Sequence, residues 1–474
     1  MADHADFGFL EHVRQGFKPT VRPVSATESF KNLKPSEKDI PESETFDYIV
    51  VGAGPAGCIV AGKLAETNPN ASVLLLEAGD VPPENPVLKI PRFWLLQQED
   101  PSCQWGFMTT CQEGLFGRHV PILRTRCLGG GNSLFWMRGA KETFNEWVSK
   151  SSRKRLVWSL PIPSVSSEWS EALLAAAKAN SMHFTNFGDE SGSHHGVGYS
   201  QFTLRDGKTV NMFDVFIKRK NLSNVTVRCN SFVTHVLMAP NGSTNVAYGV
   251  HYRPSSNPCG PYCAVRARKE VILTSGVIAT PLILMRSGIG NHRTLRECGI
   301  EPLLDLPGVG QNLTDDVTVA LTYATEKELP VETEKFGLSN VVMSPLNSSI
   351  TIGAHTNTLP GVWNMPESWK PGFQLVAMCH GLKSRGFVKM DPNNLEGPPI
   401  IEMNYLTDKK DVKQAVKAIE QLRNIGQSES LKSWRPKEVR PTEKICSKEG
   451  LEGVCARNCL WRHVSGGHVP NGWH

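Results

Sequence analysis

The sequence predicts an α/β fold built around a doubly wound parallel sheet. Two short apolar runs, at residues 48–51 and 72–76, have the character of strands that are covered on both faces. The segment between them is rich in small residues and long enough for a crossover helix. A third apolar run, at 271–273, has the same character. Strand, helix and strand in this order form a βαβ unit.

The turn after the first strand has the spacing Gly-x-Gly-x-x-Gly at Gly52, Gly54 and Gly57. The first glycine permits a tight turn, the second lets a pyrophosphate approach the backbone, and the third lets the helix pack closely on the strand. The N-terminus of the following helix offers free N–H groups to phosphate. Glu77 follows the second strand twenty residues after Gly57, where an acid accepts hydrogen bonds from a ribose 2′-hydroxyl. A dinucleotide without a 2′-phosphate is therefore predicted, against the alternative of a purely structural turn.

Two later stretches predict further turns. Three consecutive glycines follow Leu128, and such a run cannot continue a helix or strand. After the strand at 270–273, Thr280 is predicted as the N-cap of a helix and Pro281 as its first residue. The sequence SGIG at 287–290 is predicted to end that helix.

Bulk properties exclude several classes of protein. The chain has 474 residues, which favours two or three domains, and its 40% hydrophobic and 20% charged residues are ordinary for a soluble globular protein. The net charge of +5 is scattered, so nucleic-acid binding is not predicted. No apolar run is long enough for a transmembrane segment, and the first residues lack the features of a signal peptide. A soluble, intracellular protein is expected.

No metal site and no disulfide scaffold are predicted. Twelve cysteines are few for a chain of this length. Three groups of potential ligands lack the second half of a metal site: Cys259 with Cys263, Cys455 with Cys459, and His194 with His195. Cys379 is predicted to be a buried core residue.

Four separated blocks of the sequence resemble the glucose–methanol–choline (GMC) oxidoreductases, a family of FAD-dependent enzymes. The blocks are the βαβ unit, the LGGG turn, GVIATPLILMRSGIG with LPGVGQNL, and KSRGFVKMDPNN with PPIIEMNYLTDKKD. They occur in the family's order and span residues 46 to 427 with gaps. The resemblance implies FAD as cofactor, bound by a discontinuous Rossmann-like domain. It also implies a second, α+β domain, whose antiparallel sheet binds substrate.

The implied organisation has four parts: an N-terminal arm at 1–45, an FAD-binding domain at 46–150 and 222–317, a substrate-binding domain at 155–221 and 318–430, and a divergent tail at 431–474. Residues 373–382 and 386–391 are predicted strands of the antiparallel sheet, and 411–428 is predicted as an amphipathic helix. The charged stretch at 431–444 is predicted to be a solvated connection.

The resemblance also assigns roles to individual residues. Gly52, Gly54 and Gly57 would cradle the pyrophosphate, and Glu77 would hold the adenosine ribose. A second set would run beside the diphosphate toward the flavin: Arg124, Gly129, Gly130 and Asn132. Val233 matches a position that contacts adenine through its backbone, and Asp315 matches an acid near the flavin.

The sequence departs from the family at the reactive end of the site. Asp316 stands where the family's NLxDH motif has histidine, and Phe135 falls where the family has an asparagine beside the flavin. The final segment, CARNCLWRHVSGGHVPNGWH, resembles the family's closing HPxGTCxMG motif only around His463, and the final segment of the FAD domain has no counterpart. His463 is therefore the predicted catalytic base.

The predicted function is FAD-dependent oxidation of the CH–OH group of a small alcohol, with hydride transfer to flavin N5. Two alternatives stay open: a redox-silent flavin-dependent lyase of the same fold, and an FAD-binding remnant without activity. The sequence does not choose among choline, sugars, aliphatic alcohols and sterols as substrate, and it leaves the electron acceptor open.

Overall fold

A computed structural model describes most of the chain. The described residues are 40–82, 101–130, 168–185, 195–199, 204–205, 208–209, 211–242, 244–257, 262–329, 341–345, 349–356, 371–441 and 448–458.

The strands within these ranges are β1 (Thr45–Val51), β2 (Val73–Leu76), β3 (Phe107–Met108), β4 (Pro121–Ile122), β5 (Gly196–Tyr199), β6 (Leu204–Arg205), β7 (Lys208–Thr209), β8 (Val225–Arg228), β9 (Ser231–Asn241), β10 (Thr244–Pro254), β11 (Cys263–Leu273), β12 (Ile289–Gly290), β13 (Leu304–Asp305), β14 (Val317–Ala324), β15 (Val341–Ser344), β16 (Ile350–Thr356), β17 (Gly372–Cys379), β18 (Phe387–Lys389), β19 (Ile400–Glu402) and β20 (Lys437–Arg440). The α-helices are α1 (Pro55–Thr67), α2 (Glu168–Ala179), α3 (Met212–Phe216), α4 (Gly276–Arg286), α5 (His292–Glu297), α6 (Lys409–Gly426) and α7 (Lys448–Asn458).

The first of two six-stranded sheets contains the predicted βαβ unit. Its order is β8–β2–β1–β11–β10–β9. The strands β8, β2, β1 and β11 are parallel neighbours, whereas β10 and β9 continue the sheet antiparallel. The first part of β11 pairs with β10 and its second part with β1, so β11 joins the two halves.

Both faces of β1 and β2, the two central parallel strands, are largely buried, as their apolar sequences predicted. On one face, Val50 and Leu75 pack with Ala61 of α1 and Phe216 of α3. On the other face, a separate apolar cluster joins β1 and β2 to α4 and to the β9–β10 hairpin; its members include Ile49, Leu74, Val233, Val250 and Ile283. An antiparallel hairpin therefore covers much of the face on which a doubly wound sheet carries helices.

The predicted start of α4 is wrong. The helix begins at Gly276, so Thr280 and Pro281 lie inside it. Its start is fixed by the end of β11, where the hydroxyls of Thr274 and Ser275 both donate to the carbonyl of Val51, at 2.9 Å each. These contacts with a distant strand override the local N-cap signal at Thr280.

The second sheet is antiparallel, with the order β20–β14–β17–β16–β15–β5. The predicted strand at 373–382 corresponds to β17, which is buried along its whole length. Cys379 at its end is fully buried, which confirms the predicted core role. The predicted amphipathic helix is α6, and its buried residues include Ala415, Ile419 and Leu422.

The predicted solvated connection at 431–444 is wrong in part. Within it, Trp434 is buried, and β20 pairs with β14 at the edge of the second sheet. Glu438 of β20 is also buried, where it accepts hydrogen bonds from Arg423 of α6 at 2.8 and 3.0 Å. A buried ion pair therefore ties this charged strand to the core.

Among the helices in the described ranges, none has the length and apolar character that crossing a bilayer requires.

Candidate functional site

The glycine-rich loop after β1 is held at the carboxyl end of the parallel sheet. Gly52 N–H donates to the carbonyl of Leu76 at 2.8 Å, which ties the loop to β2. The hydroxyl of Thr274 donates to the carbonyl of Gly52 at 2.8 Å, which ties it to β11. Crevices at this edge of an open α/β sheet are where ligands bind.

The three glycines of the loop meet different surroundings. Gly52 has a φ of 100°, which disfavours any residue with a side chain. A Cβ on Gly57 would lie 1.9 Å from the carbonyl oxygen of Gly52, so helix and loop pack too closely for a side chain. A Cβ on Gly54 would meet no described atom within 4 Å. The fold thus requires the first and third glycines, and the second faces open space at the N-terminus of α1.

Glu77 lies directly after β2 and is 7% exposed. Its Oε2 accepts from Ala53 N–H and its Oε1 from Gly79 N–H, each at 2.8 Å. Burial raises the pKa of this carboxyl above its ordinary value, although the two backbone donors and the charge of Arg126 act in the opposite direction. Because each carboxylate oxygen can accept two hydrogen bonds, Glu77 retains acceptor capacity for ligand hydroxyls.

The predicted glycine turn lies against this loop. Gly129 and Gly130 have φ values of 88° and 67°, which only glycine adopts readily. Gly129 N–H donates to the carbonyl of Ala53 at 2.9 Å, and a Cβ on Gly130 would lie 2.8 Å from Cδ of Pro55. The third glycine of the run lies outside the described residues.

The beginning of β9 lies next to Glu77 and the residues that follow it. Ser231 N–H donates to the carbonyl of Glu77, and Asn230 N–H donates to the carbonyl of Gly79, both at 2.8 Å. Val233 follows two residues later and is buried. The structure therefore brings together seven of the predicted cofactor residues: Gly52, Gly54, Gly57, Glu77, Gly129, Gly130 and Val233.

These residues fit an adenine dinucleotide. The open space at Gly54 adjoins the positive end of α1, which suits a pyrophosphate. Glu77, at the end of the neighbouring strand, is an acceptor for ribose hydroxyls. The fit rests on this combination of open space, helix N-terminus and acceptor.

The remaining predicted residues are placed differently. Arg124 is partly buried, and its carbonyl accepts from Trp105 N–H at 2.9 Å. Asn132, Phe135 and His463 lie outside the described residues.

Asp315 lies just before β14 of the second sheet. The hydroxyl of Tyr405 donates to its Oδ2 at 3.0 Å. The neighbouring Asp316, which stands in place of the family's histidine, lies 2.8 Å from Nδ1 of His380. The other ring nitrogen of His380 lies 2.9 Å from the hydroxyl of Thr351. The altered position is thus paired with the imidazole of His380, which directly follows the adjacent strand, β17.

Sequence reasoning missed this His380 pair and the role of Thr274 and Ser275 in fixing the loop. Neither segment alone carries a signal for the Asp316–His380 pair, which depends on β14 and β17 pairing antiparallel with Val317 opposite Cys379. That register places Asp316 opposite His380, but strand register cannot be read from the two segments separately.

Within the described ranges, no group of three or more His, Cys, Asp or Glu side chains is arranged to hold a metal ion.

Comparisons with known proteins agree with this geometry. The GMC oxidoreductase family profiles match residues 46–318 and, for the C-terminal part, 383–468. Pyranose dehydrogenase 3 of Leucoagaricus meleagris is 26% identical over 514 residues, which cover 90% of this chain and 84% of that protein. Human mitochondrial choline dehydrogenase is 26% identical over 470 residues, which cover 86% and 78%.

Solved structures show the same fold. Pyridoxine 4-oxidase from Mesorbium loti superposes with a TM-score of 0.74 at 25% identity, over 87% of this chain and 86% of that one. Formate oxidase of Aspergillus oryzae has a TM-score of 0.73 at 21% identity, over 88% and 87%, and supports the fold alone. The chain therefore belongs to the GMC oxidoreductase family, as its four sequence blocks predicted, and is an FAD-dependent oxidoreductase.

Proposed function

We propose that this chain oxidises the CH–OH group of a small alcohol, with FAD bound at the carboxyl edge of the first sheet. The observation that carries the proposal is the open space at Gly54, the residue before α1, whose neighbour Ala53 donates its N–H to the buried acceptor Glu77. The FAD-binding domain would comprise 46–150 and 222–317, which contain the strands of the first sheet except Thr45, the first residue of β1. The substrate domain would comprise 155–221 and 318–430, extended to β20 because that strand completes the second sheet.

Different residues of the chain would bind different parts of the cofactor. The glycine loop after β1 would hold the pyrophosphate, with the N–H groups at the N-terminus of α1 as donors, and Glu77 would accept from the ribose. The other proposed contacts are Arg124, Gly129, Gly130 and Asn132 along the diphosphate, Val233 at the adenine, and Asp315 toward the flavin. When bound, FAD supplies a hydride acceptor, N5, for the carbinol carbon.

We propose His463 as the side chain that takes the hydroxyl proton of the substrate. An imidazole suits this role because its ordinary pKa lies near neutral pH. The support is its sequence context, within the part of the chain that matches the C-terminal family profile.

Anaerobic mixing of the FAD-loaded protein with alcohols tests this function. The panel contains a pyranose, choline and pyridoxine, for which relatives of the chain are named, and an aliphatic alcohol. At least one is expected to bleach the visible absorption of oxidised flavin. His463→Ala should slow bleaching by about 10²–10⁴-fold and leave FAD affinity unchanged. His183→Ala, an exposed control, should bleach at the wild-type rate.

The same experiment separates the alternatives. Flavin that stays bound but is bleached by no member of the panel would favour a redox-silent lyase. Folded protein that takes up no FAD would favour a remnant of the family without cofactor.

A further inference from the structure

Arg126 lies beside the proposed adenosine end of the cofactor site and has no assigned role. Its carbonyl oxygen would lie 2.0 Å from a Cβ on Gly79, so its backbone packs directly against the turn that follows Glu77. Two residues later, Leu128 N–H donates to the carbonyl of Asp80 at 2.9 Å. Arg126 is therefore fixed relative to Glu77 by backbone contacts on the segment that leads into the LGGG turn.

The guanidinium of Arg126 is positioned by an aromatic side chain. Its Cζ lies 5.6 Å from the ring centre of Trp105, within the range of a cation–π contact. Trp105 is itself stacked on Phe107 at 5.5 Å with nearly parallel rings, and its ring centre lies 6.2 Å from that of Phe232. Phe232 immediately precedes Val233, so this aromatic group forms a wall next to the start of β9.

The polar atoms of Arg126 are incompletely used. Its Nε is buried and has no hydrogen-bond partner among the described residues. Its charge acts on Glu77, yet both Glu77 oxygens take their hydrogen bonds from the backbone N–H groups of Ala53 and Gly79. Arg126 as a whole is partly buried, but a buried N–H of its guanidinium that has no acceptor is costly. An oxygen-rich ligand beside Glu77 would supply the acceptor.

We propose that Arg126 is a further cofactor-binding residue, whose guanidinium donates to an oxygen of the ADP half of the dinucleotide. This inference rests on the proposed FAD site and adds a cation to it. Glu77 then accepts from the ligand on one side, and Arg126 donates to it on the other. The ligand class is an adenine nucleotide, and the flavin end is not involved.

Calorimetric titration of the cofactor-free protein with ADP and with FAD tests the assignment. In Arg126→Gln, the Kd for both ligands is expected to rise by a similar factor, of roughly 10- to 100-fold for a charge-assisted hydrogen bond. Arg126→Lys retains the charge but not Nε, so its Kd for each ligand should lie between those of wild type and Arg126→Gln. Arg296→Gln, on the exposed face of α5, is the matched control and should leave both affinities unchanged.

A merely structural role through Glu77 is separated by a double-mutant cycle. If Arg126 acts on the ligand directly, Arg126→Gln still weakens ADP binding in a Glu77→Gln background. An effect that disappears in that background would overturn the proposal, as would unchanged ADP affinity in both Arg126 variants. Wild-type protein that binds neither ligand would instead refute the proposed FAD site. The Lys variant, which preserves charge and bulk, serves if the Gln variant does not fold.

Discussion

At the scale of single residues, burial and the proposed binding role favour different protonation states of the Glu77 carboxyl. It is buried, which disfavours the charged carboxylate, but it must be an acceptor if it is to bind ribose hydroxyls. Two backbone N–H donors at 2.8 Å partly compensate the burial. The proposed role in ribose binding therefore depends on a carboxyl that its two backbone donors hold in a fixed position.

Glu77→Gln should weaken FAD binding, because one acceptor oxygen and the negative charge are lost. Loss of a hydrogen bond to a charged group is expected to raise the Kd about 10- to 100-fold. Fluorescence titration of the cofactor-free variant measures this change. Glu301→Gln, an exposed control, should bind as wild type, and equal affinity in the Glu77 variant would contradict the assigned role.

The same residue predicts a pH dependence of stability in the cofactor-free protein. Because burial raises the folded-state pKa of Glu77 above its ordinary 4.5, the folded protein holds the proton to higher pH than the unfolded chain does. Its contribution to the unfolding free energy is therefore largest at low pH and falls as pH rises above 4.5. Urea unfolding of wild type and Glu77→Gln between about pH 5 and 8 should show the wild-type advantage shrinking with pH. A difference that stays constant with pH would contradict a raised pKa of Glu77 in the folded protein.

At the scale of elements, the loop between β1 and α1 separates two uses of glycine. Gly57 is required by the packing of α1 on the loop, whereas Gly54 is required only if a ligand approaches. This difference makes the two positions a matched pair.

Gly54→Ala should leave the unfolding free energy of the cofactor-free protein unchanged to about 0.5 kcal/mol. Its FAD affinity should fall at least about tenfold, or about 1.4 kcal/mol, because the new methyl occupies ligand space. Gly57→Ala should instead lose about 1–3 kcal/mol of stability, since its Cβ meets the Gly52 carbonyl. Urea unfolding and FAD titration of both variants measure these effects, and undiminished affinity in Gly54→Ala would place the diphosphate elsewhere.

The start of α6 clamps the loop that precedes β18. Asp411 is 1% exposed and accepts from Lys383 N–H, Ser384 N–H and the Ser384 hydroxyl at 2.6–2.7 Å. Asp411→Ala leaves these donors without a partner and should cost about 3 kcal/mol or more. Asp408→Ala removes only the N-cap bond to Lys410 N–H and should cost about 1 kcal/mol. Equal losses in urea unfolding would argue against the clamp.

At the scale of the whole molecule, the local parts of the fold could be predicted from sequence and the distant pairings could not. The β1–α1–β2 unit was predictable because its glycine spacing and apolar runs encode conformation within a short segment. The edge strand β20 was not, because its charged residues indicate solvent, and only the distant Arg423 makes the burial of Glu438 possible. The predicted start of α4 was wrong for a similar reason, since contacts with β1 determine where the helix begins.

The site divides in the same way. The glycine loop and Glu77 lie together, because they follow β1 and β2, two neighbouring strands of one parallel sheet. The pairing of Asp316 with His380 depends on the register of two strands far apart in the chain, which the sequence alone does not specify.

The most direct test of the central claim is an equilibrium titration of the folded, cofactor-free protein with FAD. Saturable binding of one FAD per chain is expected, weakened by Gly54→Ala in a protein of unchanged stability. Folded wild-type protein that takes up no FAD, at concentrations that saturate flavoenzymes, would contradict it.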